Sequence, residues 1–347
     1  MSTYIQLHLL TSYPPANLNR DDLGRPKTAF MGGAERLRVS SQSLKRHWRT
    51  SDVFQEALAG HLGVRTKRLG LEVMARLQEA GIAEGKAKEW AGKIADVFGK
   101  LEKGSVELSQ LAHISPEELQ AVDALTETLI EEKRGPEKEE LDLLRKNPAA
   151  ADIGLFGRML AEKDKKKFEV EAACQVAHAI TVHPVVIEDD YFTAVDDLNK
   201  GDEDRGAAHI GETGFAAGLF YSYVCINRDQ LVDNLGGDAE LADKAIAALA
   251  EAAIKVSPSG KQNSFGSRAY ASYVLAEKGS QQPRSLSVAF LKPVQGQDQA
   301  TDAIARLEEQ AQRFDQVYGE CAEKRYSLNA HTGEGSFREL MDFLKQD

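Results

Sequence analysis

Along Thr3–Leu10, TYIQLHLL, apolar Ile5, Leu7 and Leu9 alternate with Tyr4, Gln6 and His8, the period-two pattern of a strand with one buried face. Thr11–Gly33 is crowded with Pro, Asn, Asp and Gly and reads as a long loop, a length that usually serves function inside a compact domain. RLRVS then gives a second short extended piece, and SSQSLKRHWR opens a helix with Ser40 or Ser41 as N-cap. From about Ser51 to Phe168 the period becomes helical. LEVMARLQEA sets Leu71, Met74 and Leu77 on one stripe. SPEELQAVDALTETLIEEKRG has Ser115 as N-cap, Pro116 in the first helical position and Glu118 to complete a capping box. Its apolar stripe is Leu119, Val122, Leu125 and Leu129. Strand character returns in DDYFTAVDDL and GLFYSYVCINR, which flank a Gly/Asp-rich middle and predict a long hairpin-like excursion. A helix over DAELADKAIAALAEAAIKV follows, then two strands, RAYASYVLAE and SLSVAFLKPV, and helices within DAIARLEEQAQRF and SFRELMDFLKQ.

Set aside the helical block and the excursion, and the order is strand, helix, strands, helix, strands. That order fits an α+β core of ferredoxin-like or RRM-like type. The 347 residues, 42% hydrophobic and 28% charged, match a soluble globular chain of about two modules. No apolar run nears the roughly 18 residues of a membrane span, and MSTYIQLHLL lacks the basic start of a signal peptide. Cys174, Cys225 and Cys321 are too scattered for a disulfide framework or a zinc site. The reading is therefore a cytoplasmic protein with no membrane partner and no cofactor.

Charge changes the picture. The net charge is −11, yet Arg20–Arg49 holds eight Lys/Arg against three Asp/Glu, a local +5 that leaves −16 elsewhere. Screening confines charge effects to about 8 Å at physiological salt, so a local basic groove survives overall acidity. In helical geometry Gln42, Lys45 and Arg49 share a face, while Leu44 and Trp48 share another suited to packing. Ser40, Ser41 and Ser43 surround the helix start, where open N–H groups and the dipole attract an exposed anion by about 0.3–1 kcal/mol. Such a track suits a phosphodiester chain; the competing reading is a solvated face with a routine cap. The neighbouring loop favours the track, because it adds Arg20, Arg25 and Lys27 and holds Gly32 and Gly33, which let backbone approach a ligand.

The run LNRDDLGRPKTAFMGGAERLRVSSQSLKRHWR resembles the N-terminal signature of the CasC (Cse-type) backbone subunits of type I-E CRISPR Cascade complexes. The likeness continues in GLFGRML, QVAHAITVHPV, DDYFTAVDDL and AAHIGETGFAAGLFYSYVCINRDQLVDNLGG, and departs in the helical block, in NKGDEDRG and in the last third. The resemblance implies a hand-shaped RAMP subunit of antiviral defence. A modified RRM/ferredoxin-like palm would span 1–50, 169–187 and 223–347, a large helical fingers insertion 51–168, and a long β-hairpin thumb 188–222. It implies a non-enzymatic role: copies polymerise along crRNA as a helical, usually hexameric, backbone and present the spacer to target DNA. The other Cascade subunits complete the assembly, on which a recruited nuclease-helicase acts. By matched position, Arg20, Lys27, Ser41, Gln42, Ser43, Lys45 and Arg49 hold guide phosphates, Arg158 and Met159 touch the guide near a flipped base, and Tyr191, Phe192, Thr193 and Val195 form the thumb wedge. Against these roles stand ordinary ones: Phe192 and Val195 as strand core, Met159 as a gap-filler, Arg158 paired with an acid of the helical block.

Two other functions compete. A type III-like subunit would cut target RNA with a metal held at Asp22, although Asp21 and Asp22 also suit turn chemistry and pairing with Arg20 or Arg25. A nucleotide site at SPSGKQNSFGS fails the phosphate-loop test, because Gln262 follows Lys261 and no glycine stands five residues before Gly260. His178 and His183 lack a carboxylate or Cys partner at metal spacing, which favours core or capping roles.

Overall fold

The computed structural model describes residues 2–160, 163–194 and 209–345. The chain opens with β1 (Tyr4–Ala16), β2 (Thr28–Met31) and β3 (Ala34–Val39), then α1 (Ser41–Arg49) and α2 (Asp52–Ala57). A helical block follows: β4 (Val64–Thr66), α3 (Leu69–Glu79), α4 (Glu84–Asp96), β5 (Ala112–Ile114), α5 (Pro116–Glu132) and α6 (Ala151–Phe156). Next come β6 (Cys174–Val176), β7 (Ala179–Thr181), β8 (Glu188–Ala194), β9 (His209–Asn227), α7 (Arg228–Asn234), α8 (Ala239–Lys255) and α9 (Gln262–Phe265). The chain closes with β10 (Ala271–Gly279), α10 (Gln299–Tyr318), β11 (Lys324–Asn329) and α11 (Phe337–Lys345).

The main sheet runs β11-β10-β1-β9-β7-β3-β2, with β6 and β8 also paired to β9 and every pairing antiparallel. Its centre, β10-β1-β9 followed by β6 and β7, has the strand order of a ferredoxin-like β-α-β-β-α-β unit. The α+β core expected from the element order is therefore present. Ile5, Leu7 and Leu9 pack into a core shared with α1, α2, α8 and α11. The helical block has a separate core around Leu77, Trp90, Ile94 and Leu129. Ser115 and Glu118 form the capping box that the sequence specifies.

Three expectations need correction. β1 is buried on both faces: Gln6 and His8, expected on a solvated side, are 3% and 0% exposed. β9 and the C-terminal third cover them with a polar network in which His8 meets Tyr221 and Glu277, and Tyr223 and the Arg284 N–H donate to Gln6. SLSVAFLKPV is no strand. Leu286, Phe290 and Val294 are buried four residues apart, so the segment coils through a short 3-10 turn at Ser287–Phe290. The long loop is shorter than expected, because β1 continues to Ala16 and Thr28–Met31 pairs with β3.

β9 does two jobs. Its C-terminal half is central to the sheet, paired with β1 from Ala216 to Asn227. Its N-terminal half pairs with β8, from Glu188↔Phe215 to Ala194↔His209, and carries the hairpin. The NKGDEDRG stretch and Val195 lie outside the described residues.

Candidate nucleic-acid interface

α1 begins where Ser40 leaves extended backbone and its Oγ accepts the Ser43 N–H at 3.3 Å. Asn19 Oδ1 accepts the Ser40 N–H at 2.9 Å, which ties the preceding loop to the helix entrance. Leu44 and Trp48 are buried beneath the helix, so its other side chains diverge to two sides. Gln42, Lys45, Arg46 and Arg49 line a groove of about 580 Å³ with Arg65, Gln110, Leu111, His113, Phe156 and Met159. Ser43 and His47 line a second hollow, of about 570 Å³, with Asn19, Arg20, Asp22, Ser259 and Lys261. The helix is a divider rather than one continuous track.

The groove draws on both cores. Lys45 Nζ lies 5.7 Å from the Phe156 ring centroid, within reach of a cation–π contact. Arg49 donates to the buried Asp152 at 3.2 Å, His113 Nε2 meets the same carboxylate at 2.8 Å, and the Gly63 N–H donates to it at 2.8 Å. Burial alone would raise the Asp152 carboxyl; the His113 hydrogen bond and charge, the Gly63 N–H and Arg49 outweigh it and hold the group below its ordinary value. Asp152 thus fixes Arg49 and His113 at the groove wall.

Arg158 also lines the groove, but not as a free cation. Its side chain is 2% exposed and donates twice to Glu118, at 2.9 and 2.7 Å, and to the Arg145 and Phe168 carbonyls at 2.8 and 3.1 Å. Of the two roles open to Arg158, a contact with the guide near a flipped base and a pair with an acid of the helical block, the second is formed: the charge is committed to the capping carboxylate of Glu118. Gly157 explains how the chain reaches this position, with φ +80° and no room for a Cβ beside the Val170 carbonyl. One residue on, Met159 is 89% exposed.

The rest of the basic stretch divides similarly. Arg36 is fully buried and donates to the Thr181 and Phe290 carbonyls, holding β3 rather than any ligand. Arg25 pairs with Asp189 at 3.1 Å. Arg20 is exposed, Lys27, Ser41, Ser43, Lys45 and Arg49 are half-buried, and Gln42 is exposed. Asp21 Oδ1 accepts the Leu23 and Arg25 N–H groups, the turn chemistry read from the sequence. Among the described residues no group of three or more His, Cys, Asp or Glu gathers in a way that could hold a metal ion. Lys261 Nζ donates to Thr213 Oγ1 at 2.9 Å, and His178 meets Arg38 at 3.1 Å. On the hairpin Tyr191, Phe192 and Thr193 are all exposed, but strand alternation sends Phe192 to one face and its two neighbours to the other.

Sequence reasoning missed Arg46, Arg65, Gln110, Leu111 and Phe156. Arg46 was legible, since helical spacing puts it one turn from Gln42. The others reach the groove through the β4-β5 pair and the end of α6, which no local pattern announces.

The family model described as CT1975-like protein matches residues 5–343, and the chain belongs to that family. No curated protein matches it. A solved chain titled "CRISPR RNA-guided surveillance complex, pre-nicking" is 32% identical with a TM-score of 0.80, covering 99% of this chain and 99% of that one. Another, titled "CRISPR RNA-guided surveillance complex", is 28% identical with a TM-score of 0.62, covering 99% of this chain and 98% of that one.

Proposed function

We propose that this member of the CT1975-like family is a non-catalytic backbone subunit of a type I-E CRISPR surveillance complex, of the CasC (Cse-type) kind. It binds crRNA through phosphates and presents the spacer for pairing with target DNA. The observation that carries the reading is the full-length likeness to surveillance-complex chains in a protein whose α1 sets Gln42, Lys45 and Arg46 along an open cationic groove. A subunit that serves any spacer must ignore base edges, and Lys, Arg, Gln and Ser side chains at a helix entrance address phosphates.

In this reading the palm is 1–50, 169–187 and 223–347, the fingers 51–168 and the thumb 188–222. Copies of the chain assemble head to tail as a cytoplasmic hexameric backbone beside other Cascade subunits. Arg20, Lys27, Ser41, Gln42, Ser43, Lys45 and Arg49 hold phosphates, joined by Arg46 and Arg65, and Met159 lies against a base. Arg158 supports the groove from beneath. The test is co-expression with a guide array. RNA of one length should co-purify, whatever the spacer sequence; recovery of the protein free of RNA would refute the reading.

A further inference from the structure

The short β4-β5 pair sets Arg65 directly opposite His113, so both side chains leave the same face, and both line the groove beside α1. The His113 ring is held by one edge. Its Nε2 meets Asp152 Oδ2 at 2.8 Å, and a Cβ on Gly63 would lie 3.0 Å from both Cδ2 and Nε2. That edge is packed against the joint between the two cores, and the opposite ring vertex, Nδ1, is turned away from it. Among the described residues Nδ1 forms no hydrogen bond. The side chain is 10% exposed, on a residue of the groove wall.

The surroundings fix the tautomer. Asp152 Oδ1 accepts the Gly63 and Ile153 N–H groups at 2.8 and 3.1 Å, and Oδ2 accepts Arg49 at 3.2 Å. The carboxyl is held ionised and can only accept, so Nε2 of His113 carries the hydrogen. A neutral ring then shows a lone pair at Nδ1, which repels a phosphate oxygen. A ring protonated at Nδ1 shows an N–H donor and a full positive charge instead, both suited to a phosphate. Asp152 does not cancel that charge alone, because Arg49 already answers it. The other charges around the ring are Lys45 and Arg46 on α1, Arg65 on β4, and Arg158 paired with Glu118. The free cations oppose the proton, and a phosphate lodged among them favours it. By linkage, the proton strengthens phosphate binding by the same factor. Imidazole is the only side-chain type on this wall that changes charge between about pH 5 and 8.

We infer that His113 is a further phosphate-binding residue of the groove, oriented by Asp152, and that it takes a proton from solvent onto Nδ1 as the guide binds. The new Nδ1–H donates to a phosphate oxygen while Nε2–H stays on Asp152. This inference rests on the guide-binding reading above. The test is calorimetric titration of the full chain with single-stranded RNA of guide length, at about pH 7 in two buffers of unlike ionisation enthalpy. Wild type should take up a measurable fraction of a proton, at most about one, per bound copy. Its affinity per copy should fall as pH rises from about 6 to about 8, by no more than about tenfold per unit. His113→Gln should take up no proton, and its log–log salt slope should be flatter than wild type by about 0.7 at about pH 6 and equal to it at about pH 8. His113→Lys should take up none and keep the steeper slope at both. His47→Gln should keep the wild-type uptake, because both nitrogens of that ring are already bonded, to Ser43 and Ser259. Wild type that binds RNA without proton uptake would overturn the inference with no variant needed. So would uptake that persists in either His113 variant, or that vanishes in His47→Gln. Wild type that binds no RNA would overturn the guide-binding reading instead.

Discussion

Replacing Arg158 by Met separates two roles that a cation beside an RNA groove can have. The guanidinium and its Glu118 partner are both buried, joined by two hydrogen bonds of 2.9 and 2.7 Å. Removing one member of a buried ion pair costs about 3–5 kcal/mol, because the other charge stays in a poorly solvated site. Arg158→Met should fall near the lower end, about 3 kcal/mol, since Glu118 keeps the Ser115 and Arg145 N–H donors at 2.9 and 2.8 Å. Glu118→Ala strips all of these donors of their acceptor and should cost about 5 kcal/mol. Urea unfolding followed by tryptophan fluorescence measures the loss, because Trp48 lies in the sheet core and Trp90 in the helical core. Guide binding across a salt series measures the other role. If Arg158 acts within the fold, the urea midpoint drops and the log–log salt slope is unchanged. A variant with a wild-type midpoint and a slope flattened by about 0.7, the signature of one lost phosphate contact on a single strand, would refute the buried-pair argument.

Lys45→Ala/Arg46→Ala should weaken guide binding equally for unrelated spacers and flatten the salt slope by about 0.7 per lost contact, read by filter binding. Met159→Ala should change stability by no more than about 0.5 kcal/mol, because the side chain is 89% exposed; any fall in guide affinity then reports contact. Burial holds the His8 imidazole below its ordinary 6.5 despite the bond and charge of Glu277, with Arg284 and Arg325 acting in the same direction as burial. The unfolded chain therefore takes up a proton first, so stability falls as pH drops from 6.5 toward the folded value, and His8→Gln should flatten that part of a urea-midpoint series against pH.

What the sequence disclosed was local. Ser40, Ser115 and Glu118 mark helix starts through bonds to residues three positions away, Pro116 does so through its fixed φ at the first helical position, and α1, α5, α8, α10 and α11 follow from their own periodicity. Long-range cover was not legible. β1 looked half-solvated because nothing near His8 reveals that Tyr221, Glu277 and Arg284 will close over it. β11 is a poor strand by composition, and forms because β10 offers it an edge from Tyr273 to Lys278. At the site, the sequence leaves Arg158 open to the guide or to an acid of the helical block, and no local pattern shows that Glu118, forty positions earlier, uses its caps and its charge together.

The same distinction governs the basic stretch that first set this chain apart. Of its eight cations, Arg36 is interior, Arg25 answers Asp189, and Arg49 answers Asp152. The local +5 therefore overstates the charge that an RNA strand would meet there. The fold compensates from outside the segment, bringing exposed Arg65 on β4 across from Lys45 and Arg46. Asp152 does not simply cancel Arg49, since it also anchors His113 and Gly63 and so joins the helical core to the end of α1. A groove assembled across that joint keeps its cations at fixed spacing whichever bases are present. Fixed spacing against a uniform phosphate repeat is the physical requirement for binding without reading sequence.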